Sequence, residues 1–457
     1  MAGVKYRSMM NASDAIIWQI ERDPKMRSTI MCVWELDSVP TPERIRESLD
    51  RMVASIPRLR QRVEPGRPRP SWVDLDDLDL DDHYATHQFA GAATFDDALV
   101  FAQDWVREPF DRSRPLWRLG LLTGFADGKA AVVIKAHHAI ADGIGMVLML
   151  AAFTDLEPNP TERCDVEPPS AESTRSQWSS WRRTTFRIGR VTRELVRRPS
   201  STVIAASRTL VSAIRVVIPN RTPLSSLMTE RSGELCLHSR AVPLRAVKDA
   251  GRAAGVSLND VFVGIVTDAV ARYHDASGVP CERLRIHMPV NIRNERTATL
   301  AGNQFVPARL ALRVPKRGVL RGLASVSDQL ERLRAEPGLA HINTVSSAIQ
   351  RLGVPAARWI IGGMMKGVDV LASNVPGPRF PLYLAGARIN DFVAFGPPAG
   401  AALNVTLFSY QSTLYLGVTT DSGAIPDRHA FLACLDEAIE AAVGSTTTRT
   451  PTTATTA

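Results

Sequence analysis

The stretch Lys135-Ala136-His137-His138-Ala139-Ile140-Ala141-Asp142-Gly143 decides how the rest of the chain is read. Upstream, Ala130 to Ile134 is short, apolar and β-branched, which predicts a buried strand running into the two histidines. Downstream, Ile144 to Leu150 predicts an apolar helix with Asp142 placed to cap it. A strand thus delivers two imidazoles to a loop, and a carboxylate follows. An imidazole can take a proton from a hydroxyl near neutral pH, and a neighbouring carboxylate can orient it or brace the loop. Each residue alone has a plainer reading. A histidine at a strand end is most often half-buried packing, and Asp142 by itself is an N-cap. The specific signal is the combination at a strand-to-helix junction.

Working upstream, Trp117 to Leu122 predicts a strand that turns at Asp127-Gly128 into the histidine-bearing one, a hairpin ending on the loop. Before it, Phe95 to Val106 is helical in pattern and leads into Pro109 to Trp117. Thr29 to Leu36 reads as a strand. Thr41-Pro42 then opens a helix whose Ile45, Leu49, Met52, Val53 and Ile56 recur at helical spacing. Ser13-Asp14 can start a helix through Ile16, Ile17 and Ile20, and Arg58 to Val63 reads as extended. Leu75, Leu78 and Leu80 alternate with aspartates from Asp74 to Asp82, which favours a solvated loop over a calcium site, since that needs a glycine-bearing ligand loop.

Downstream, from Asp155 to Glu230, the character changes. Prolines cluster early, and Trp178 to Val217 is strongly basic, with Arg182, Arg183, Arg187, Arg190, Arg193, Arg197 and Arg198. A helical connector packed on one face and a basic amphipathic segment lying on anionic lipid both fit this pattern. A second domain begins near Leu235. Ser257 to Asp260 caps a long apolar helix from Val261 to Tyr273, Arg285 to Val290 is a strand entering Asn291-Ile292-Arg293, and Val368 to Ala372 leads to Ser373-Asn374-Val375-Pro376-Gly377-Pro378. Strands over Ala402 to Tyr410 and Thr413 to Thr419 and a helix over Asp427 to Val443 follow. The Thr/Ala-rich end reads as disordered.

Strands and helices alternate in both halves. The fold class is therefore α/β (α+β), with two similar domains of mixed sheets flanked by helices: residues 1–154 carrying the His-His loop, a basic helical crossover over 155–232, a second domain over 233–445, and a tail over 446–457. The chain of 457 residues is long enough for two cores. A net charge of +8 favours anionic partners such as acidic lipid surfaces or acyl-CoA. With no nucleic-acid-reading motif and 6% aromatic residues, nucleic acid ranks last. Five scattered cysteines (Cys32, Cys164, Cys236, Cys281, Cys434) without a C-x-x-C pair argue against both a disulfide framework and a zinc site, so no metal is expected. No secretory signal or bilayer-spanning apolar run is seen. The expected location is cytoplasmic, with peripheral contact at the inner membrane face or lipid inclusions.

Five motifs in chain order then agree: Pro115-Leu116-Trp117, the His137-to-Gly143 loop, Asn259-Asp260, Ser373 to Pro378, and Phe408-Ser409-Tyr410 with Asp427 beyond. The His-His loop resembles the superfamily of chloramphenicol acetyltransferase and peptide-synthetase condensation domains. Together the motifs resemble, over residues ~10–445, the bacterial wax ester synthase/diacylglycerol acyltransferase family. The resemblance implies two chloramphenicol acetyltransferase-like domains with a tunnel between them. It also implies acyl transfer from acyl-CoA to diacylglycerol or a long-chain alcohol, with no resident cofactor.

Residue by residue, the resemblance makes His138 the general base, with His137 shaping the loop. Asp142 becomes a structural residue, for which Arg293 is the candidate partner, and Gly143 lets the helix start close to the site. Asn259, Asp260, Ser373 and Asn374 match motifs that bind substrate or shape the site, without individual roles. Peripheral contact with an anionic membrane or lipid droplet follows from charge. Two alternatives stay open: a condensation-type acyltransferase for another hydroxyl or amine acceptor, and a non-catalytic lipid-binding paralogue.

Overall fold

The computed structural model describes residues 7–66, 69–141, 143–160, 222–291, 305–315, 319–335, 359–360, 362–363, 365 and 367–444. Asp142, Arg293, the arginine-rich part of the crossover and the tail from 446 lie outside them. Strands β1 (Arg7–Met9), β3 (Gln61–Glu64) and β4 (Ser71–Asp74) form a small antiparallel sheet. Two larger sheets, each of six strands and each mixed, carry the two halves of the chain.

The first large sheet contains β2 (Thr29–Leu36), β5 (Tyr84–Ala93), β6 (Trp117–Phe125), β7 (Ala130–His137), β12 (Tyr383–Leu384) and β13 (Ala387–Phe395), in the order β12-β13-β2-β7-β6-β5. The second contains β8 (Leu235–Pro243), β9 (Arg283–Asn291), β10 (Phe305–Arg313), β11 (Val370–Val375), β14 (Leu403–Tyr410) and β15 (Thr413–Asp421), in the order β10-β9-β11-β14-β15-β8. The pairs β5–β6, β9–β11 and β11–β14 are parallel.

Both β2 and β7 are buried along their whole length, as near-continuous apolar runs covered on both faces should be. The β6–β7 hairpin closes at Asp127-Gly128, where Gly128 takes φ +68°, a conformation that favours glycine. Helices α1 (Ala12–Ile20), α2 (Pro42–Ser55), α3 (Phe95–Arg107) and α4 (Gly143–Phe153) belong to the first half. As the sequence predicts, Thr41 caps α2, Pro42 opens it, and Ile45, Leu49, Met52 and Val53 are buried. The cap of α1 is Asn11, one turn earlier than Asp14, because its side-chain oxygen accepts the Asp14 N–H at 2.7 Å. Arg58 lies in a short 3₁₀ turn over Pro57–Arg60, and the extended segment begins at Gln61.

In the second half, α5 (Leu244–Ala254) ends on Gly255 in the left-handed conformation. Helices α6 (Leu258–Ala276), α7 (Val319–Arg334) and α8 (Arg428–Val443) follow and pack with the second sheet around one core.

Sheet membership crosses chain order. Strand β13, from late in the sequence, pairs antiparallel with β2, setting Phe392 opposite Trp34 and Phe395 opposite Met31. Phe392 also stacks on Phe408 of β14, with ring centroids 4.3 Å apart, and Asp391 accepts the Tyr415 hydroxyl of β15 at 2.6 Å. The hairpin thus ties the sheets together and leaves β7 near the centre of its sheet, its last residue being His137.

Candidate active site

The two histidines leave β7 side by side with different surroundings. The His137 N–H donates to the Leu116 carbonyl at 2.9 Å and the His138 N–H to the Ser28 carbonyl at 2.7 Å, so both neighbouring strands hold the turn. His137 is 1% exposed. Its Nδ1 accepts the Ala139 N–H at 3.0 Å, which places the ring proton on Nε2, 2.7 Å from Oε2 of Glu21. Nδ1 is hydrogen-bonded, and Nε2 lies in close contact with the carboxylate inside the protein. His138 is half-buried. Of the pair, it is the imidazole residue that reaches the surface.

Glu21 follows the end of α1, and the motif reading passes over it. Its Oε1 accepts the Ser28 N–H at 3.1 Å, and Arg112 lies 3.8 Å from Oε2. Burial alone would raise this carboxyl. The close contact with the His137 ring, the Ser28 N–H and the Arg112 guanidinium together outweigh burial and hold it below its ordinary value. Sequence carries no periodic signal for Glu21, which lies in a polar segment far from the loop.

Around this centre the Pro115-Leu116-Trp117 motif has a structural explanation. Leu116 supplies the carbonyl for His137, while Trp117 donates its indole N–H to the Leu59 carbonyl at 2.9 Å and stacks on His83 at 4.5 Å. Lys135 is fully buried. It donates to the carbonyls of Trp105 and Glu108 at 2.7 and 2.8 Å, closing the end of α3, and burial pushes its ammonium down to about 8. Phe110 stands between this lysine and the loop, 4.9 Å from Lys135 Nζ and 6.1 Å from the His137 ring. A cleft of about 370 Å³ borders Phe110 and Trp117. At its rim, Arg114 pairs with Asp82 and Asp111.

In the second half, the sequence-predicted residues divide. Asn259, in the first turn of α6, and Asn374, near the end of β11, come together, with Asn374 Nδ2 3.4 Å from Asn259 Oδ1. Asp260 instead turns inward. It completes a capping box with Ser257 and accepts from Ser327 Oγ at 3.0 Å and Arg334 Nη2 at 3.1 Å. Burial would raise its carboxyl, but these hydrogen bonds outweigh that and lower it. Ser373 and Asn374 belong to β11 itself, opposite Thr406 and Leu407 of β14.

Beyond them, the Gly377 N–H donates to Ser409 Oγ at 3.0 Å, and the Gln411 N–H donates to the Pro378 carbonyl at 2.8 Å. A methyl group at 377 would overlap the Ser409 carbonyl and the Phe408 ring, so glycine is required there. Tyr410 completes the support, its hydroxyl accepting the Leu382 N–H and donating to the Ile389 carbonyl, both at 2.9 Å. Val375 packs against the first core, which brings this segment to the junction of the halves. Asp427 caps α8. Gly143 is the first residue of α4.

Comparison with known proteins bears on what this arrangement belongs to. The catalytic domain of wax ester synthase/diacylglycerol acyltransferases matches residues 10–262, and the C-terminal domain of the same enzymes matches residues 301–442. The chain belongs to the wax ester synthase/diacylglycerol acyltransferase family. Within it, a putative diacylglycerol O-acyltransferase of Mycobacterium tuberculosis is 33% identical over 442 residues, covering 92% of this chain and 89% of that protein.

Among solved structures, the family's wax ester synthase/diacylglycerol acyltransferase from Marinobacter aquaeolei superposes with a TM-score of 0.66 at 18% identity. It covers 95% of this chain and 98% of its own. A starter condensation domain of rhizomide synthetase, solved in complex with C8-CoA, superposes with a TM-score of 0.59 at 14% identity, covering 98% of each chain. The expected two-domain, chloramphenicol acetyltransferase-like α/β fold is therefore the observed one. Among the described residues, no single helix is long and apolar enough to cross a membrane.

Proposed function

We propose that this family member transfers a fatty acyl group from acyl-CoA to the hydroxyl of diacylglycerol, giving triacylglycerol and CoA, with long-chain alcohols as parallel acceptors that give wax esters. His138 takes the proton of the acceptor hydroxyl as its oxygen attacks the thioester carbonyl. The tetrahedral intermediate then expels the CoA thiolate, and the imidazolium returns its proton to sulfur. No covalent enzyme intermediate is required.

One observation carries the choice of base: His137 is buried, with Nδ1 bonded to Ala139 and Nε2 against Glu21, whereas His138 is half-buried at the same turn. Family membership and the named relatives support the acceptor class, and the C8-CoA complex of a similarly folded domain supports an acyl-CoA donor. The paired amides of Asn259 and Asn374 offer polar groups to a bound substrate. The net charge of +8 draws the protein to anionic lipid, where apolar acceptors reside.

The test offers labelled palmitoyl-CoA with diacylglycerol and, separately, with hexadecanol. Labelled triacylglycerol as the main product is expected. Label that enters neither lipid, with folded protein, overturns the acceptor class. Vesicle binding is a separate measurement: stronger sedimentation with anionic than with neutral vesicles at low salt is expected, and equal sedimentation contradicts membrane contact.

A further inference from the structure

We propose that Glu21 is a positioning residue for the transfer, fixing the loop that carries His138 through His137 on one side and Ser28 on the other. The inference rests on acyl transfer at His138 as read above. Three segments converge on this carboxylate: the residue following α1, the residue preceding β2 and the last residue of β7. Oε1 takes the Ser28 N–H at 3.1 Å, while the Ser28 carbonyl takes the His138 N–H at 2.7 Å. Oε2 faces His137 Nε2 at 2.7 Å, and His137 Nδ1 takes the Ala139 N–H at 3.0 Å. One side chain therefore reaches the backbone on both sides of His138: its own N–H through Ser28, and the following residue through the His137 ring.

The donor and acceptor pattern makes this clamp sensitive to a single atom. An ionised carboxylate only accepts, which suits both the Ser28 N–H and a ring with its proton on Nε2. Glutamine has the same shape with one oxygen replaced by NH₂. With its oxygen on Ser28, the NH₂ faces His137 Nε2–H, donor against donor. Moving the ring proton to Nδ1 relieves that clash but sets Nδ1–H against the Ala139 N–H. With the amide reversed, NH₂ faces the Ser28 N–H instead. Every arrangement sets two donors against each other at the buried ring or at Ser28, and so loses one favourable polar contact of the clamp. The remaining surroundings reinforce the charge. Arg112 approaches Oε2 at 3.8 Å while lying over the Trp18 ring of α1 at 4.9 Å, and Phe110 meets His137 edge-on. The anionic form of Glu21 is favoured there.

The experiment combines two readouts on the full chain. In protein labelled with ¹⁵N-histidine, the His137 resonances, identified by their loss in His137→Gln, should show a protonated Nε2 and an unprotonated Nδ1. Glu21→Gln should abolish that pattern. In steady-state kinetics, Glu21→Gln should lower kcat on the order of 10–10²-fold with little change in KM for acyl-CoA, as expected of a displaced base and not of a lost substrate contact. Combined with His137→Gln, it should cost little more than the larger single change, because both break one clamp.

A His137 ring protonated on Nδ1 in the parent, or an unchanged kcat in folded Glu21→Gln, overturns the inference. If the parent transfers no acyl chain yet shows the expected His137 resonances, the proposed reaction fails while the clamp stands.

Discussion

Strands β7 and β11 each end inside a six-stranded sheet on a motif, and the two ends are held differently. At β7, the His-His turn is held by backbone carbonyls at the starts of both neighbouring strands, Leu116 and Ser28, and by one side chain from outside the sheet, the Glu21 carboxylate. At β11, the segment through Pro378 is fixed largely by the adjacent β14 and the residues that follow it, and Asp260 beside Asn259 is held first by its own helix cap. A turn that also leans on a side chain from another element has a single point of failure there. A turn built on an adjacent strand and a local cap is robust, and its substitutions are read mainly in stability.

That difference can be broken or sharpened by substitution. The largest effect on stability is expected at Gly377→Ala. The added methyl overlaps Ser409 and Phe408, and overpacking of this kind costs about 1–3 kcal/mol, read as a lower midpoint in urea. An unchanged midpoint would mean that the β11 end can move freely.

Asp260→Asn comes next, at about 1–2 kcal/mol, from a weakened capping box and loss of the charge facing the partly exposed Arg334. The Asp260 carboxyl is lowered in the folded state, so its contribution is complete above the ordinary aspartate range and is lost as pH falls through the folded value. The variant should therefore show a flatter acid limb of stability against pH, with kcat per folded molecule close to the parent's. A large loss of kcat in folded protein would place Asp260 in the chemistry after all.

A smaller, signed effect is expected at Lys135, whose ammonium burial pushes down to about 8 from 10.5. Between those values the unfolded chain holds a proton that the folded chain does not, so stability rises with pH across that interval. In Lys135→Met this contribution to the rise should vanish, and a slope identical to the parent's would contradict the assignment. The smallest effect on stability belongs to Asn374→Ala, within about 0.5 kcal/mol, because its amide contact is long and exposed. Its consequence should appear in KM, and an unchanged KM would remove Asn374 from the substrate surface.

The same contrast governs what could be read from sequence. Local signals were sufficient for β2, α2, the β6–β7 hairpin and the Ser257 cap, because each is written within a few consecutive residues: an apolar run, a Thr-Pro start, an Asp-Gly turn, a Ser-x-x-Asp box. The motif spacing likewise led to the family and to the loop. Long-range partners were not legible. Glu21 is one glutamate after a short helix, and nothing in its neighbours announces a buried imidazole. The hairpin over Tyr383–Phe395 lies late in the chain, and its pairing with β2 depends on Phe392 meeting Trp34 and Phe408 in space. Asp260 shows the converse difficulty. A motif aspartate beside a candidate site reads as functional until its partners, Ser257, Ser327 and Arg334, are seen to hold it in a structural pair.

The most direct test of the central claim is the initial rate of labelled triacylglycerol formation from palmitoyl-CoA and diacylglycerol, in His138→Ala beside the parent at equal folded concentration. A loss on the order of 10²–10⁴-fold, with acyl-CoA binding retained, is the expected result for a general base. Equal rates in variant and parent would contradict it and move the proton transfer to another residue.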